Sequence, residues 1–284
     1  MIELSAGDAA VAIDLSRGGR LASLAVGGRE LLLGPPSEED RSIRWGLFLM
    51  APWAGRLAGG CLSLDGRTVQ LPRTHGRHAI HGLLWDRPWR LATRETGPGR
   101  ALAMLTCDLP PTWPPGGRVE QRLSLTPGSL TLDAELTAGG RMPAAMGWHP
   151  WFRRDGPVRV GLEAPATLET VRMIPTGRVV PVARRTDLRA GAELGRRRLD
   201  HTYVEARSPV EISWADIALT VAFEPSPSPV VVHTPAGAFC IEPQTAWPDA
   251  ASRPAGEAER AGLRWLDAGE RLRARMRLAW RRRA

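Results

Sequence analysis

The stretch VEQRLSLTPGSLTLDAEL, residues 119–136, alternates apolar and polar residues on both sides of a Pro-Gly pair. Successive side chains of a strand point to opposite faces. Leu123, Leu125, Leu130, Leu132, Ala134 and Leu136 therefore form one apolar face, and the residues between them a polar one. The segment predicts a hairpin with one face buried, turning at Pro127-Gly128. The same device recurs along the chain. LASLAVGGRELLL turns at Gly27-Gly28, CLSLDGRTVQL at Asp65-Gly66, and ISWADIALTVAF near Asp216. Near the C-terminus, RLRARMRL sets Leu272, Ala274, Met276 and Leu278 against four arginines. Those arginines read as the wet face of a strand rather than a binding patch.

Helical periodicity is nearly absent, with short helices expected only near 37–44 and 256–264. No fixed-period repeat and no dividing linker is visible, and the Pro- and Gly-rich pieces at 110–117, 225–229 and 248–256 are short enough to be loops. With 284 residues, 43% of them hydrophobic, the chain can bury a large core. The expected fold is all-β: a large antiparallel β-sandwich, one domain over residues 1–284, with functional loops at its rims.

The formal charge of +8 invites a nucleic-acid reading, but all 38 basic residues are arginine, and the chain has neither lysine nor asparagine. That pattern looks like coding bias, since a phosphate-binding surface normally mixes both cations. No nucleic-acid partner is expected, and the runs at 196–198 and 281–283 read as solvated. Cys61, Cys107 and Cys240 are widely spaced and odd in number, which suits free thiols in a reducing compartment. No signal pattern opens the chain and no apolar run reaches the ~18 residues of a membrane helix. The expectation is a cytoplasmic protein with no membrane partner.

Five short pieces carry candidate chemistry. In AAMGWHPWF, Pro150 disfavours the α conformation at His149 and so holds it extended. On a strand, Gly147 and His149 share a face, so the glycine is expected to leave room for a ligand beside the imidazole. Pro150 is expected to end the ladder, placing His149 near a strand end, and the neighbouring tryptophans are expected to wall a cleft. A histidine capping a hydrophobic corner is the alternative. In CIEPQTAWPDA, Glu242 also precedes a proline within an apolar run, on a face shared with Cys240 and Gln244. A carboxyl buried there has a raised pKa suited to a general base, or it is a structural group bonded to backbone amides.

In THGRHAIHGLLWDRPW, His75, His78 and His81 lie three apart, but no cysteine or carboxylate ligand stands at metal-site spacing, so no metal is expected. His81-Gly82 reads as a loop lining a cleft with Trp85 and Trp89. Arg56 is the one charge in MAPWAGRLAGG, a setting in which a guanidinium usually holds a carboxylate or several hydroxyls. Asp200 and Tyr203, in LDHTYV, read as closing a loop before a strand.

Taken in order, PWAGRLAGG, IHGL, WHPWF, LDHTY and EPQTAWPDA resemble the motifs of the aldose 1-epimerase (galactose mutarotase-like) family, over roughly residues 20 to 280. The resemblance implies a large β-sandwich, an isomerase acting on a monosaccharide, no cofactor and a monomer or homodimer. It also implies Glu242 as general base, His149 as general acid, His81 as a second active-site histidine that also contacts substrate, and Arg56 and Asp200 as sugar-hydroxyl ligands. Gly55, Leu83 and Trp151 depart from the family's Asn, Gly and Tyr at those places.

The implied reaction opens the sugar ring: one group takes the C1 hydroxyl proton while another protonates the ring oxygen. Rotation about C1–C2 and closure then give the other anomer. A carboxylate and an imidazolium on opposite sides of the sugar suit this, and the ionised carboxylate is expected to raise the His149 pKa above ~6.5. Two other readings stand beside the free-aldose mutarotase: a hexose-6-phosphate 1-epimerase, and a non-catalytic sugar-binding or sensing module.

Overall fold

A computed structural model of the chain describes residues 1–35 and 42–283. More than half of these residues lie in strands, whose pairings are antiparallel, with one short α-helix, Ala255–Arg260, where the sequence predicts one near 256–264. Of the helix expected near 37–44, residues 37–41 lie outside the described residues, and 42–44 form none.

The hairpin that opens the sequence argument forms in the expected register. Strands Gly117–Thr126 and Ser129–Ala138 place Leu125 opposite Leu130 and Thr126 opposite Ser129, leaving Pro127-Gly128 as the turn. The other turns form as well: Val26 pairs with Arg29, Leu64 with Arg67, and Ser213 with Ala218. Asp65 and Gly66 take φ of 49° and 75°, the left-handed backbone that a two-residue hairpin turn demands.

One run of neighbouring strands passes from Arg90–Gly97 through Arg100–Asp108, Gly117–Thr126, Ser129–Ala138, Arg271–Arg282 and Ile217–Glu224 to the second half of Asp200–Ser213. The first half of Asp200–Ser213 belongs to a second run, which continues through Ser228–His233, Ala238–Pro243, Gly147–Arg153 and Leu47–Met50. The long strand changes partners at a register break between Tyr203 and Ala206, where Glu205 has φ 54°. Such a bend lets one strand serve two sheets.

The inward faces meet in one core that joins Leu4, Val11 and Leu24 of the N-terminal strands to Leu123, Leu132 and Met276. Each such buried side chain contributes about 1.5–3 kcal/mol relative to exposure. The arginine face of Arg271–Arg282 is exposed and paired across the strand, Arg273 with Glu135 at 2.6 Å and Arg275 with Asp133 at 2.5 Å.

Two local expectations are corrected. Pro150 does not end a ladder: the strand Gly147–Arg153 runs through it, pairing with Leu47–Met50 as far as Pro150 and with Ala238–Pro243 from Trp151 onward. The missing N–H falls where one partner replaces the other, so a proline is tolerated mid-strand. Asp200 and Tyr203 do not close a loop either; Asp200 begins a strand and Tyr203 lies within it.

Candidate active site

His149 is buried in the middle of its strand and gripped on both faces. Phe48 stacks on one side with ring centroids 5.0 Å apart and planes 26° from parallel, and Trp151 on the other at 5.0 Å and 13°. Trp151 is two residues on and shares the His149 face, whereas Trp148 points away, its Nε1 donating to Gln121 Oε1 at 2.9 Å in the core. Only one of the two tryptophans therefore walls the site. The glycine also has a different purpose from the one expected. A Cβ on Gly147 would lie 2.8 Å from the Pro243 carbonyl oxygen and 2.9 Å from Gln244 Cγ, and Gly147 is bridged to Gln244. Its bareness lets the two motif strands close on each other rather than making room for a ligand.

That closure brings Glu242 to His149, with Oε1 3.3 Å from Nε2 and both side chains almost wholly out of solvent. Gln244 Nε2 lies 3.5 Å from the other carboxylate oxygen. Cys240 sits beside the pair: among the described residues, His149, Cys240 and Glu242 form the one grouping with metal-ligand atoms at short range, within 4.8 Å of one another. Cys240 does not line the cavity, however, and burial pushes its thiol well above its usual range, so a neutral thiol lies beside the Glu242–His149 contact.

The cavity holds about 410 Å³ and is lined by His149, Glu242, Gln244, His81, Arg56 and Asp200 together with Trp85, Trp151, Thr202 and His233. Every residue singled out for substrate chemistry from the sequence reaches it. Arg56 and His81 arrive together, because the short strands Arg56–Leu57 and Ala79–Ile80 pair and the His81 N–H donates to the Gly55 carbonyl at 2.9 Å. His81 has φ 59° and Gly82 φ 75°, and a Cβ on Gly82 would lie 1.9 Å from the Ala51 carbonyl oxygen. The glycine is what allows this sharp turn to place His81 edge-on to His149, ring centroids 4.8 Å apart. The Arg56 guanidinium has no carboxylate partner among the described residues. The Asp249 carboxylate accepts from the Ala58 N–H at 2.8 Å, while the Asp249 N–H donates to the Arg56 carbonyl at 2.8 Å, tying the two loops together.

His75 and His78 face each other across a backbone bridge, and His78 Nδ1 accepts from the Gly59 N–H at 3.2 Å, so the three histidines do not converge. Trp85 lines the cavity as expected, but Trp89 is in the core. The sequence reading missed His233 and Phe48. His233 pairs in register with Asp200, its Nδ1 3.5 Å from Oδ2, and meets the Trp151 ring edge-on. The alternation in VVVHTP carries a signal for it, since Val231 and His233 share a strand face and both line the cavity. Phe48, inside a fully buried strand, carries no such signal.

Burial dominates the electrostatics. It pushes the Glu242 carboxyl well above the usual range, assisted by the charge of Asp200 and opposed by Arg56 and Gln244. It pushes the His149 imidazole well below the usual histidine value, with His81, His233 and Arg20 adding to the effect. The expected rise of the His149 pKa is thus overturned, because loss of water outweighs the attraction of the carboxylate. Two titratable groups 3.3 Å apart are expected to titrate as a pair. Burial, Arg56, His75 and His233 push His81 down to about 3, so it is a neutral imidazole at ordinary pH. His81 Nδ1, His149 Nδ1, Trp151 Nε1 and Gln244 Oε1 are buried without hydrogen-bond partners among the described residues. Unpaired polar atoms are costly, and so many around one cavity suit a polar ligand.

A family model for aldose 1-epimerases matches residues 1–279. The chain belongs to the aldose 1-epimerase family. This is a family of isomerases. Escherichia coli K12 YphB, an uncharacterized protein, is 24% identical over 241 residues, covering 79% of this chain and 81% of YphB. E. coli K12 YihR, also uncharacterized, is 33% identical over 114 residues; the match covers 39% of this chain and only 35% of YihR. A galactose mutarotase-like protein from Clostridium acetobutylicum superposes with a TM-score of 0.87 at 16% identity, covering 99% of this chain and 95% of that one. A galactose 1-epimerase from Lactobacillus acidophilus NCFM gives 0.82 at 18%, covering 99% and 93%. These solved structures share the fold, as the alternating sequence implies. Among the described residues no helix is long and apolar enough to cross a membrane.

The departures from the family motifs sort by position. Gly55 takes φ 70° with a would-be Cβ 2.7 Å from Pro248, so the close approach of two motif loops favours glycine here. Leu83 packs against the core, while Trp151 is the ring stacked on His149. Only the last of the three changes the wall against the acid–base pair.

Proposed function

We propose that the protein interconverts the α and β anomers of a free aldose, with Glu242 and His149 as the proton-transferring pair. The observation that carries the reading is the 3.3 Å approach of Glu242 Oε1 to His149 Nε2 beside an open cavity. An acid and a base on opposite sides of the sugar are not required. The C1 hydroxyl oxygen and the ring oxygen are both bonded to C1, so the groups serving them belong side by side. The one proton of the pair first passes from the Glu242 carboxyl to His149 across the 3.3 Å contact; the Glu242 carboxylate then takes the hydroxyl proton, the C1–O5 bond breaks as the carbonyl forms, and His149 protonates the ring oxygen. Rotation about C1–C2 and the reverse transfers close the ring on the other face and restore both groups. The pair carries one proton throughout, so no outside donor is needed.

Arg56 and Asp200 hold hydroxyls, and the neutral His81 orients the sugar by hydrogen bonding at the ring-oxygen side of His149. No metal, nucleotide or covalent intermediate enters the scheme. The test is a panel of fresh α-anomers of glucose, galactose, xylose, arabinose and glucose 6-phosphate followed by polarimetry. Acceleration of a neutral aldose above the spontaneous rate is expected. Acceleration of glucose 6-phosphate alone would move the reading to a sugar-phosphate epimerase. Saturable binding with no acceleration from pH 5 to 9 would move it to a sugar sensor.

A further inference from the structure

Behind the Phe48 ring lies a buried cation that the reaction scheme does not use. Arg20, first residue of the strand Arg20–Val26, is 1% exposed. Among the described residues its guanidinium donates to backbone carbonyls: Nε to Arg17 at 3.0 Å, Nη1 to Trp45 at 3.2 Å and Nη2 to Trp85 at 2.7 Å. Among the described residues no carboxylate is hydrogen-bonded to it, Asp86 and Asp14 acting on it through charge alone. An arginine buried without a counter-ion is costly, and its charge is poorly screened. Two aromatic faces compensate, since Arg20 Cζ lies 4.2 Å from the Trp45 ring centroid and 4.8 Å from that of Phe48. Phe48 is also the ring stacked on His149, with Trp151 beyond. The order through the protein is Trp45, Arg20, Phe48, His149, Trp151.

We propose that Arg20 is a positioning residue for His149: a fixed cation one aromatic ring behind the imidazole, which holds the Phe48 face of the stack and makes the protonated imidazole a stronger donor to the ring oxygen. The inference rests on the mutarotase reading for its consequence but on the stack alone for its cause. A positive charge repels a proton on His149 whatever the substrate. Burial lowers the Arg20 pKa only to about 10, so the charge is present throughout the working range. Arg20 is among the groups that push the His149 imidazole down. Its hydrogen bond to the Trp85 carbonyl also fixes a segment of the cavity wall, since Trp85 lines the cavity and its ring lies 6.3 Å from that of Phe48.

Among the described residues, the other charged or titratable groups around His149 are Glu242 and Cys240 on the neighbouring strand, His81 and His233 at the cavity, and Arg56, Asp200, Arg44 and His75 elsewhere on its wall. All are retained in the variants that follow. Two observations test Arg20: the pH limits of mutarotation, and the titration of the His149 imidazole followed by NMR. The second needs no substrate, so it stands even where the mutarotase reading fails. Arg20→Met and Arg20→Gln remove the charge. Both limbs of the pH profile and the imidazole titration should then move up by about one pH unit, the size expected for a charge near 10 Å in a protein interior. Arg20→Lys keeps the charge but loses the planar fork; kcat should fall while the limbs stay in place.

A folded neutral variant whose imidazole titrates as in the wild type overturns the proposal. So does an Arg20→Lys protein whose limbs move as far as those of the neutral variants. Where neither neutral variant folds, the desolvated ammonium of Arg20→Lys can itself be titrated. The His149 signal must move with it, and an imidazole that ignores that titration overturns the proposal too.

Discussion

Strands Arg271–Arg282 and Ala238–Pro243 are both antiparallel, yet they treat charge in opposite ways. The first alternates exposed arginines with buried apolar residues, and its charges meet acidic partners in water. The second is buried at every residue and carries Glu242 with no arginine in ion-pair contact among the described residues. Charges in solvent contribute little and perturb little, whereas a carboxyl denied water is held protonated and ready to exchange its proton. Net charge and arginine count describe the first region and are silent about the second. Where a charged residue is stripped of solvent decides its chemistry.

The sharpest break of that contrast is Glu242→Gln. The amide keeps the shape and the fold but cannot accept the proton, so kcat should drop about 10²–10⁴-fold while sugar binding survives in calorimetry. Wild-type rates from a folded Glu242→Gln protein would remove the carboxylate from the mechanism.

Next in size is the pH profile. The working pair holds one proton. The acid limb is the uptake of a second, by an imidazole whose affinity for protons is depressed, so it lies below the ordinary histidine range. The alkaline limb is the loss of the only proton, held by a carboxyl whose affinity is raised, so it lies above the ordinary glutamate range. A bell with a plateau through neutrality is expected, its limbs belonging to the pair. His149→Gln should abolish the bell with most of the rate. His81→Gln should leave residual activity with the limbs in place, because His81 is already neutral. A limb that vanishes in His81→Gln would reassign that proton.

Arg56→Ala comes third. If the guanidinium holds sugar hydroxyls in ground state and transition state alike, KM should rise about ten-fold or more with kcat less affected. A collapse of kcat at constant KM would place Arg56 on the transition state instead. The smallest effect belongs to the solvent face. Arg275→Ala removes an exposed ion pair, and should change stability by about 0.5 kcal/mol or less, read by denaturant melts, with the mutarotation rate untouched. A large loss would show that the arginine face is more than a solvated surface.

Period-two alternation determined the all-β fold, the hairpin turns and the inward faces, because one strand's pattern already tells which side chains are dry. The two residues proposed as the acid–base pair stood out as a histidine and a glutamate each set before a proline in an apolar run, and the family resemblance supplied their roles. What the sequence could not convey is proximity. Gly147 reads as space for a ligand until Gln244 is seen filling it from 97 residues away, and Pro150 reads as a strand end until a second partner strand takes over. His149 reads as a raised imidazole beside a carboxylate until its burial is known. Register across distant strands fixed the 3.3 Å contact, and the layers above and below removed the water. Phe48 and Arg20 belong to the same class: a phenylalanine in an apolar strand and an arginine after two glycines become a stack behind His149 only when the sheets close. Pattern is a local property of the chain, whereas desolvation depends on everything that packs around a group, so the tertiary structure alone set the protonation of the site.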